Sequence, residues 1–165
     1  MRIAVLKERR ADEKRVAATP ESVKKLKGMG VEVAVERGAG ASAQYPDSAY
    51  EEAGATIAAD AASALSGADI VLKVQRPLIG DGVDEVAPMK RGAILVGLLS
   101  PHADKAALDS YAKAGITAMA LELTPRITRA QAMDALSSQS NLAGYKAVID
   151  AAAALARAFP MMMTA

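Results

Sequence analysis

A run of polar side chains at residues 124–138 separates an apolar stretch that resembles a strand from a long apolar stretch that resembles a helix. The groups able to do chemistry in it belong to Arg126, Arg129, Gln131, Asp134, Ser137 and Ser138. A planar guanidinium beside amide and hydroxyl groups suits recognition of a carboxamide or of a phosphate-bearing ligand. Ile127 and Met133 are expected to anchor the segment. The alternative is a polar loop in which Ser137 or Ser138 caps the following helix, and the residues alone leave both interpretations open.

Two further basic residues, Lys73 and Arg15, lie where a cation could face a ligand cleft. Lys73 is within the apolar run "DIVLKV", where an ammonium group is costly to bury unless it is paired or at the strand end. Arg15 precedes the apolar residues 16–18, so we expect it to point inward, where it could bind a carboxylate or phosphate through two parallel hydrogen bonds. The alternative is a structural lysine for Lys73 and an ordinary solvated loop around Arg15.

Three other features are interpreted as ordinary structure. The glycine-rich "GAGASA" (38–43) predicts a plain turn, because no helix begins at its glycines as a dinucleotide fingerprint requires. Asp60, near where a ribose-binding acid would lie, follows only a weak strand. His102 is the one histidine and is interpreted as a loop residue, although it could act as a general base. With one histidine and no cysteine, a histidine- or thiolate-based metal site is not expected.

The elements that would position these residues alternate along the chain. Continuous apolar runs predict strands at 2–6, 31–36, 55–58, 69–74, 93–99 and 116–123. Capping signals and helical spacing predict helices at 19–30, 46–54, 60–68, 83–92, 104–115 and 139–159. Strands without polar alternation are typical of sheets covered on both faces. We therefore predict one domain, residues 1–165, with a doubly wound, mostly parallel α/β sheet of about six strands, Rossmann-like or flavodoxin-like.

In such a fold, ligands bind beyond the carboxyl ends of the strands. The loops at that edge would be 7–19, 37–46, 75–84, 100–103 and 124–138. The last helix carries an apolar face that includes Val148, Leu155 and Phe159, and Pro160 is expected to end it.

Composition excludes several classes of function. The 20 basic and 19 acidic residues leave a net charge of +1, and basic stripes with interleaved aromatics are absent, so nucleic acid is not an expected partner. The apolar run near the N-terminus is too short for a signal peptide. The Ala-rich C-terminal stretch contains Arg157 and Pro160 and is too weakly apolar to span a bilayer. A cytoplasmic protein is expected.

Several motifs together carry a family resemblance. The stretch from Pro125 to Ala165, with "KERR…RVAATPE" (7–21) and "LKVQRP" (72–77), closely resembles the NAD(H)-binding component of proton-translocating NAD(P) transhydrogenase, in its alpha subunit. The resemblance covers the whole chain and extends to alanine dehydrogenase. It implies hydride transfer between NADH and NADP, coupled to proton translocation by a membrane-spanning partner. It also implies a location peripheral to the inner (plasma) membrane.

The same resemblance implies roles for the polar loop. Its contacts to NAD(H) would come from Arg126, Ile127, Thr128, Gln131, Asp134 and Ser137. Arg126, Asp134 and Ser137 would hold the carboxamide end of the nicotinamide. Gln131 would reach toward the NADP(H) of the partner component and position the rings without acid or base chemistry. Distance, orientation and exclusion of water would then be the protein's contribution to hydride transfer.

Two departures from the family pattern limit what the resemblance implies. Alanine dehydrogenases have counterparts of Arg15 and Lys73 and a catalytic histidine where this chain has Ser100, with His102 two residues further on, so amino-acid oxidation is not expected. The family's second lobe, with its glycine-rich NAD fingerprint, would follow Ala165. We therefore expect a fragment or a split subunit that is inactive alone, and a homodimer in the full component.

Two alternative functions remain at this point. One is a non-catalytic interaction module that uses its apolar surface, including the tail at 159–163. The other is an alanine-dehydrogenase-like half without the catalytic histidine.

Overall fold

A parallel sheet forms the centre of the first of two units. The computed structural model describes residues 1–80, 82–157 and 159, and the chain divides into the units Met1–Leu123 and Thr124–Ala165. The strands are β1 (Arg2–Val5), β2 (Glu32–Glu36), β3 (Thr56–Ala58), β4 (Ile70–Gln75), β5 (Ile79–Gly80), β6 (Val83–Asp84), β7 (Ile94–Leu98) and β8 (Thr117–Ala120). The helices are α1 (Pro20–Gly28), α2 (Asp47–Glu52), α3 (Ala61–Leu65), α4 (Lys105–Ala114) and α5 (Ala135–Ala154). The single domain expected from the sequence stays a prediction.

Six strands form the main sheet in the order β3-β2-β1-β4-β7-β8, and every neighbouring pair is parallel. The chain builds outward from β1 to β3, returns to place β4 beside β1, and builds outward again to β8. The carboxyl ends of β1 and β4 therefore meet where the winding reverses, which is the usual position of a ligand crevice in such sheets. The predicted doubly wound parallel fold is confirmed.

Side chains from alternate positions of β1 enter two separate cores, one on each face of the sheet. Val5 belongs to a cluster with Val23 of α1 and Tyr50 of α2. Ala4 lies in a second cluster that contains residues of α3 and α4, including Tyr111. Strands buried on both faces need apolar residues at every position, which explains the unbroken apolar runs in the sequence.

Local signals explain most element boundaries. Thr19 caps α1 by accepting a hydrogen bond from the Ser22 amide, and Pro20 occupies the first helical position, as predicted. The turn at 38–43 is also confirmed as a plain turn, since only a three-residue 3-10 helix, Ala41–Ala43, follows its glycines. A side chain at Gly40 would lie 2.6 Å from the Tyr50 ring, so only glycine fits there.

The helix predicted at 83–92 is wrong. Val83–Asp84 instead pairs antiparallel with Ile79–Gly80 in a small hairpin, β5 with β6. The Asp84 carboxylate then accepts hydrogen bonds from the amides of Val86 and Ala87, at 2.8 and 2.9 Å. An aspartate that bonds backbone amides just ahead of it stabilises a turn in competition with helix.

The second unit contains α5 and a preceding 3-10 helix, Thr128–Met133. Helix α5 begins four residues before the predicted Gln139, and none of its residues is buried. Val148, on the predicted apolar face, is 71% exposed. Pro160 and most of the apolar tail at 159–163 lie outside the described residues. Within the part of the chain that the structure covers, no helix has the length and apolarity needed to cross a bilayer.

Candidate functional site

Short backbone turns shape the polar segment at 124–138. The Ile127 amide donates to the Pro125 carbonyl at 3.0 Å, and the Ala130 amide donates to the Ile127 carbonyl at 2.9 Å. The 3-10 helix Thr128–Met133 then leads directly into α5. A segment without glycine is thus held by its own hydrogen bonds, which gives its side chains defined positions.

Asp134 forms the N-cap of α5, where Ser137 or Ser138 was expected. Its Oδ1 accepts from the Ser137 amide at 2.9 Å and its Oδ2 from the Ser137 hydroxyl at 2.6 Å. The Ser138 hydroxyl donates to the Asp134 carbonyl at 3.0 Å. The hydrogen bonds from Ser137, together with the charge of Arg126, lower the pKa of Asp134. An ionised carboxylate therefore lies at the positive end of a helix 20 residues long.

A groove of about 330 Å³ opens beside this cap. Its lining includes Arg126, Ile127, Gln131, Asp134, Ser137 and Ser138. Arg126 and Gln131 are exposed, and neither side chain makes a hydrogen bond with another residue in the described ranges. The groove thus combines unused donors and an unused carboxamide with a carboxylate–hydroxyl pair. Those groups can bind a ligand carboxamide, which needs both donors and acceptors.

Two expectations about this segment require correction. Ile127 and Met133 do not anchor it, because they are 56% and 62% exposed. Thr128 is exposed and is not part of the groove lining. Ala130 is the buried residue of the 3-10 helix.

A different arrangement occupies the edge of the sheet beyond β1 and β4. Lys73 is 4% exposed and its ammonium lies 3.0 and 3.1 Å from the two carboxylate oxygens of Glu85. It lies 3.5 Å from Glu8, whose carboxylate also accepts from the Val74 amide. Burial raises the pKa of Glu8 against the opposing effect of Lys73. The expectation that Lys73 is paired is confirmed, and its charge is already balanced within the protein.

Arginines of the first loop extend this network. Arg9 bonds both Glu36 and Glu85. The side chain of Arg15 is 41% exposed and bonds Glu13, so the expectation that it points inward is wrong. The hydrogen bond from Arg15 lowers the pKa of Glu13 to about 2. Sequence reasoning interpreted this loop as solvated. The signal that it missed was Lys73 itself, because a buried lysine requires buried acids nearby.

The remaining candidates lie on ordinary loops and caps. His102 is exposed just after β7. The amide of Ser100, at the position of the family histidine, donates to Glu122. Asp60 caps α3 by accepting from the Ser63 amide at 2.7 Å. None of these side chains adds to the groove at 124–138.

The fold and the groove define a doubly wound α/β protein with a candidate site for an amide-bearing ligand. The family model described as alanine dehydrogenase/PNT, N-terminal domain, matches residues 4–143, and the chain belongs to this family. Membership implies binding of a nicotinamide nucleotide.

Three relatives illustrate the relationship. The first part of the alpha subunit of NAD(P) transhydrogenase from Rhodospirillum rubrum is 59% identical over 166 residues, which covers all of this chain and 43% of the relative. A crystal structure of transhydrogenase from Sinorhizobium meliloti superposes with a TM-score of 0.91 at 49% identity, over all of this chain and 48% of that one. Alanine dehydrogenase of Halomonas elongata is 35% identical over 96% of this chain and 41% of its own.

The chain thus spans less than half the length of these relatives. The matches support a component of a transhydrogenase, within an oxidoreductase family. The Rhodospirillum relative is named as one portion of a divided alpha subunit, which implies that it works with further transhydrogenase polypeptides.

Proposed function

We propose that this chain belongs to the NAD(H)-side component of a proton-translocating NAD(P) transhydrogenase, and that the groove at 124–138 binds the nicotinamide end of NAD(H). The observation that carries the proposal is the pair of exposed, unbonded side chains of Arg126 and Gln131 beside the Asp134–Ser137 cap. Identity of 59% with a transhydrogenase alpha subunit, across the whole chain, supports it.

Each group in the groove has a matching task in the proposal. The guanidinium of Arg126 donates to the carboxamide oxygen of the nicotinamide, and the acceptors of Asp134 and Ser137 take its N–H groups. Ile127 gives the ring an apolar contact, and Thr128 lies alongside. Gln131 faces the NADP(H) of a partner component. The groove supplies no acid or base, because hydride passes directly between two nicotinamide rings and the residues act by orientation.

Further partners belong to the same proposal. A second α/β lobe supplies the rest of the NAD(H) site, and the full component is a homodimer. An NADP(H)-binding component and a membrane-spanning component complete the enzyme, so that this cytoplasmic portion is peripheral to the inner (plasma) membrane. On this account the chain alone binds NAD(H) only weakly, and a micromolar Kd measured by calorimetry would contradict the divided site.

Hydride transfer in the complete transhydrogenase that contains this chain tests the proposal. Replacing Arg126 with Ala should slow turnover about tenfold or more, since a hydrogen bond from a charged donor to the reacting ring is lost. Arg129 offers a matched control, because it is exposed on the same 3-10 helix but does not line the groove. Equal turnover of Arg126→Ala and Arg129→Ala would contradict the assigned role.

The alanine-dehydrogenase alternative fits the structure poorly. Lys73 is bonded to Glu85 and Arg15 to Glu13, and the position of the catalytic histidine is Ser100. Pyruvate binding should therefore be absent, which calorimetry can check.

A non-catalytic interaction module is the second candidate, and one observation favours it. Leu142, Tyr145 and Val148 on α5 are each at least 59% exposed. Light scattering distinguishes it from the main proposal, because a clean monomer without bound apolar dye would weigh against such a module.

A further inference from the structure

A second cleft lies in the first unit, at the sheet edge where β1 and β4 end. Its volume is about 310 Å³. Its walls come from three places: Arg10 in the loop after β1, residues 76–79 after β4, and the first turns of α4. The winding of the sheet reverses between β1 and β4, and the crevice at such a reversal is where doubly wound sheets bind ligands.

Two guanidinium groups meet in this cleft. Nε and Nη2 of Arg10 both lie 3.3 Å from the carbonyl oxygen of Arg76 and donate to it. Nε of Arg76 lies 3.1 Å from Oδ2 of Asp104, whose Oδ1 caps α4 by accepting from the Ala107 amide. Two arginines against one aspartate leave one positive charge in the cleft lining without a partner.

Several donors around the cleft are unused. Among residues 1–80, 82–157 and 159, Nη1 of Arg10 and both terminal nitrogens of Arg76 make no hydrogen bond. The Nε of Arg76 is buried without a hydrogen bond despite the nearby aspartate, and so is the hydroxyl of Tyr111. That tyrosine is 2% exposed and lies within the electrostatic reach of Asp104, Arg76 and Arg10. Buried donors without partners are rare in folded proteins, and their clustering beside a cleft indicates a bound acceptor.

The opposite wall of the cleft is apolar. Pro77 is fully buried, while Leu78 and Ile79 present aliphatic surface, and Ile79 is 40% exposed. A ligand that fits both walls combines an oxyanion with a short hydrocarbon chain. A cleft of this volume is at the lower end of the range for small-molecule sites.

We propose that this cleft binds a small monocarboxylate, with its carboxylate held between Arg10 and Arg76 and its apolar chain against Leu78 and Ile79. A single negative charge balances the one unpaired positive charge, whereas a phosphate dianion would leave an excess negative charge beside Asp104. The inference goes beyond the proposed nicotinamide groove, because the two sites share no residue.

Titration of the full chain with sodium butyrate tests the inference, followed by nuclear magnetic resonance of arginine Nε–H and backbone amide signals. We expect saturable shifts at Arg10, Arg76 and Ala107, with a Kd of roughly millimolar for so small a ligand. Inorganic phosphate and chloride at equal ionic strength should give weaker shifts at these positions. Arg76→Gln should raise the butyrate Kd about tenfold or more, because a charged donor is lost.

Arg37 provides a matched control, since it is exposed immediately after β2 at the same edge of the sheet and outside the cleft. Arg37→Gln removes the same charge and should leave the Kd unchanged, and Arg10→Gln serves the test if Arg76→Gln fails to fold. The proposal is overturned by an absence of saturable shifts, by tighter binding of phosphate than of butyrate, or by equal effects of the Arg37 and Arg76 variants. The result is independent of the nicotinamide proposal, because Arg126→Ala should leave butyrate binding unchanged.

Discussion

The network around Lys73 and the groove at 124–138 are both rich in charged and polar side chains, yet they use those groups differently. Lys73 is buried and its ammonium is bonded to Glu85 and lies beside Glu8. Arg126 and Gln131 are exposed and make no side-chain hydrogen bonds with other described residues. Groups bonded to one another stabilise a fold, whereas groups left open are available to a ligand. The comparison therefore assigns Lys73 to structure and Arg126 to binding.

The largest expected effect is the loss of stability on replacing Lys73 with Met. The change leaves the carboxylates of Glu85 and Glu8 buried without their cation, which costs about 3–5 kcal/mol when a buried pair is broken. Urea denaturation gives the free energy of unfolding. Lys25→Met is the control, because Lys25 and Glu21 form an exposed ion pair that contributes little. Similar losses for the two variants would show that the Lys73 network is not structural.

Acid should weaken the network's outer pair, Arg15 and Glu13. The pKa of Glu13 is about 2 in the folded chain, below its ordinary 4.5, chiefly because Arg15 bonds it. A lowered pKa contributes stability that is present above about pH 4.5 and is lost as the pH falls toward about 2. Wild-type protein should therefore exceed Glu13→Gln in stability at neutral pH, by less than Lys73 contributes. A difference that stays constant down to about pH 2.5 would contradict the assigned pKa.

The smallest effect is expected in the groove. Arg126→Ala and Gln131→Ala should change the free energy of unfolding by no more than about 0.5 kcal/mol, because the side chains are exposed and unbonded. Thermal melts of both variants check this. A loss of several kcal/mol would mean that these residues hold the fold together, and the contrast with Lys73 would disappear.

The strands could be predicted well from the sequence because both faces of the sheet are covered. Continuous apolar runs located the six strands of the main sheet to within a residue or two, apart from β8, which ends at Ala120 where Leu121–Leu123 forms a 3-10 helix. The residue types at 19–21 also indicated Thr19 as a helix cap, which the structure confirms. Signals that act within a few residues are visible in a single sequence.

The errors arose where one side chain chooses between two local partners. Asp84 bonds amides of a turn, and the predicted helix does not form. Asp134 caps α5 in preference to the serines that follow it. Contacts over long sequence separations were also missed: Arg10 reaches the carbonyl of Arg76, a pairing that only the folded sheet brings about. The polar groove was found because its residues are contiguous in the chain.

The most direct test of the central claim, that the open groove binds nicotinamide, is saturation-transfer nuclear magnetic resonance of NADH mixed with the full chain. Transfer should be strongest to the nicotinamide ring protons and should be lost in Arg126→Ala but retained in Arg129→Ala. Transfer that favours the adenine protons, or that is equal in the two variants, would contradict the account.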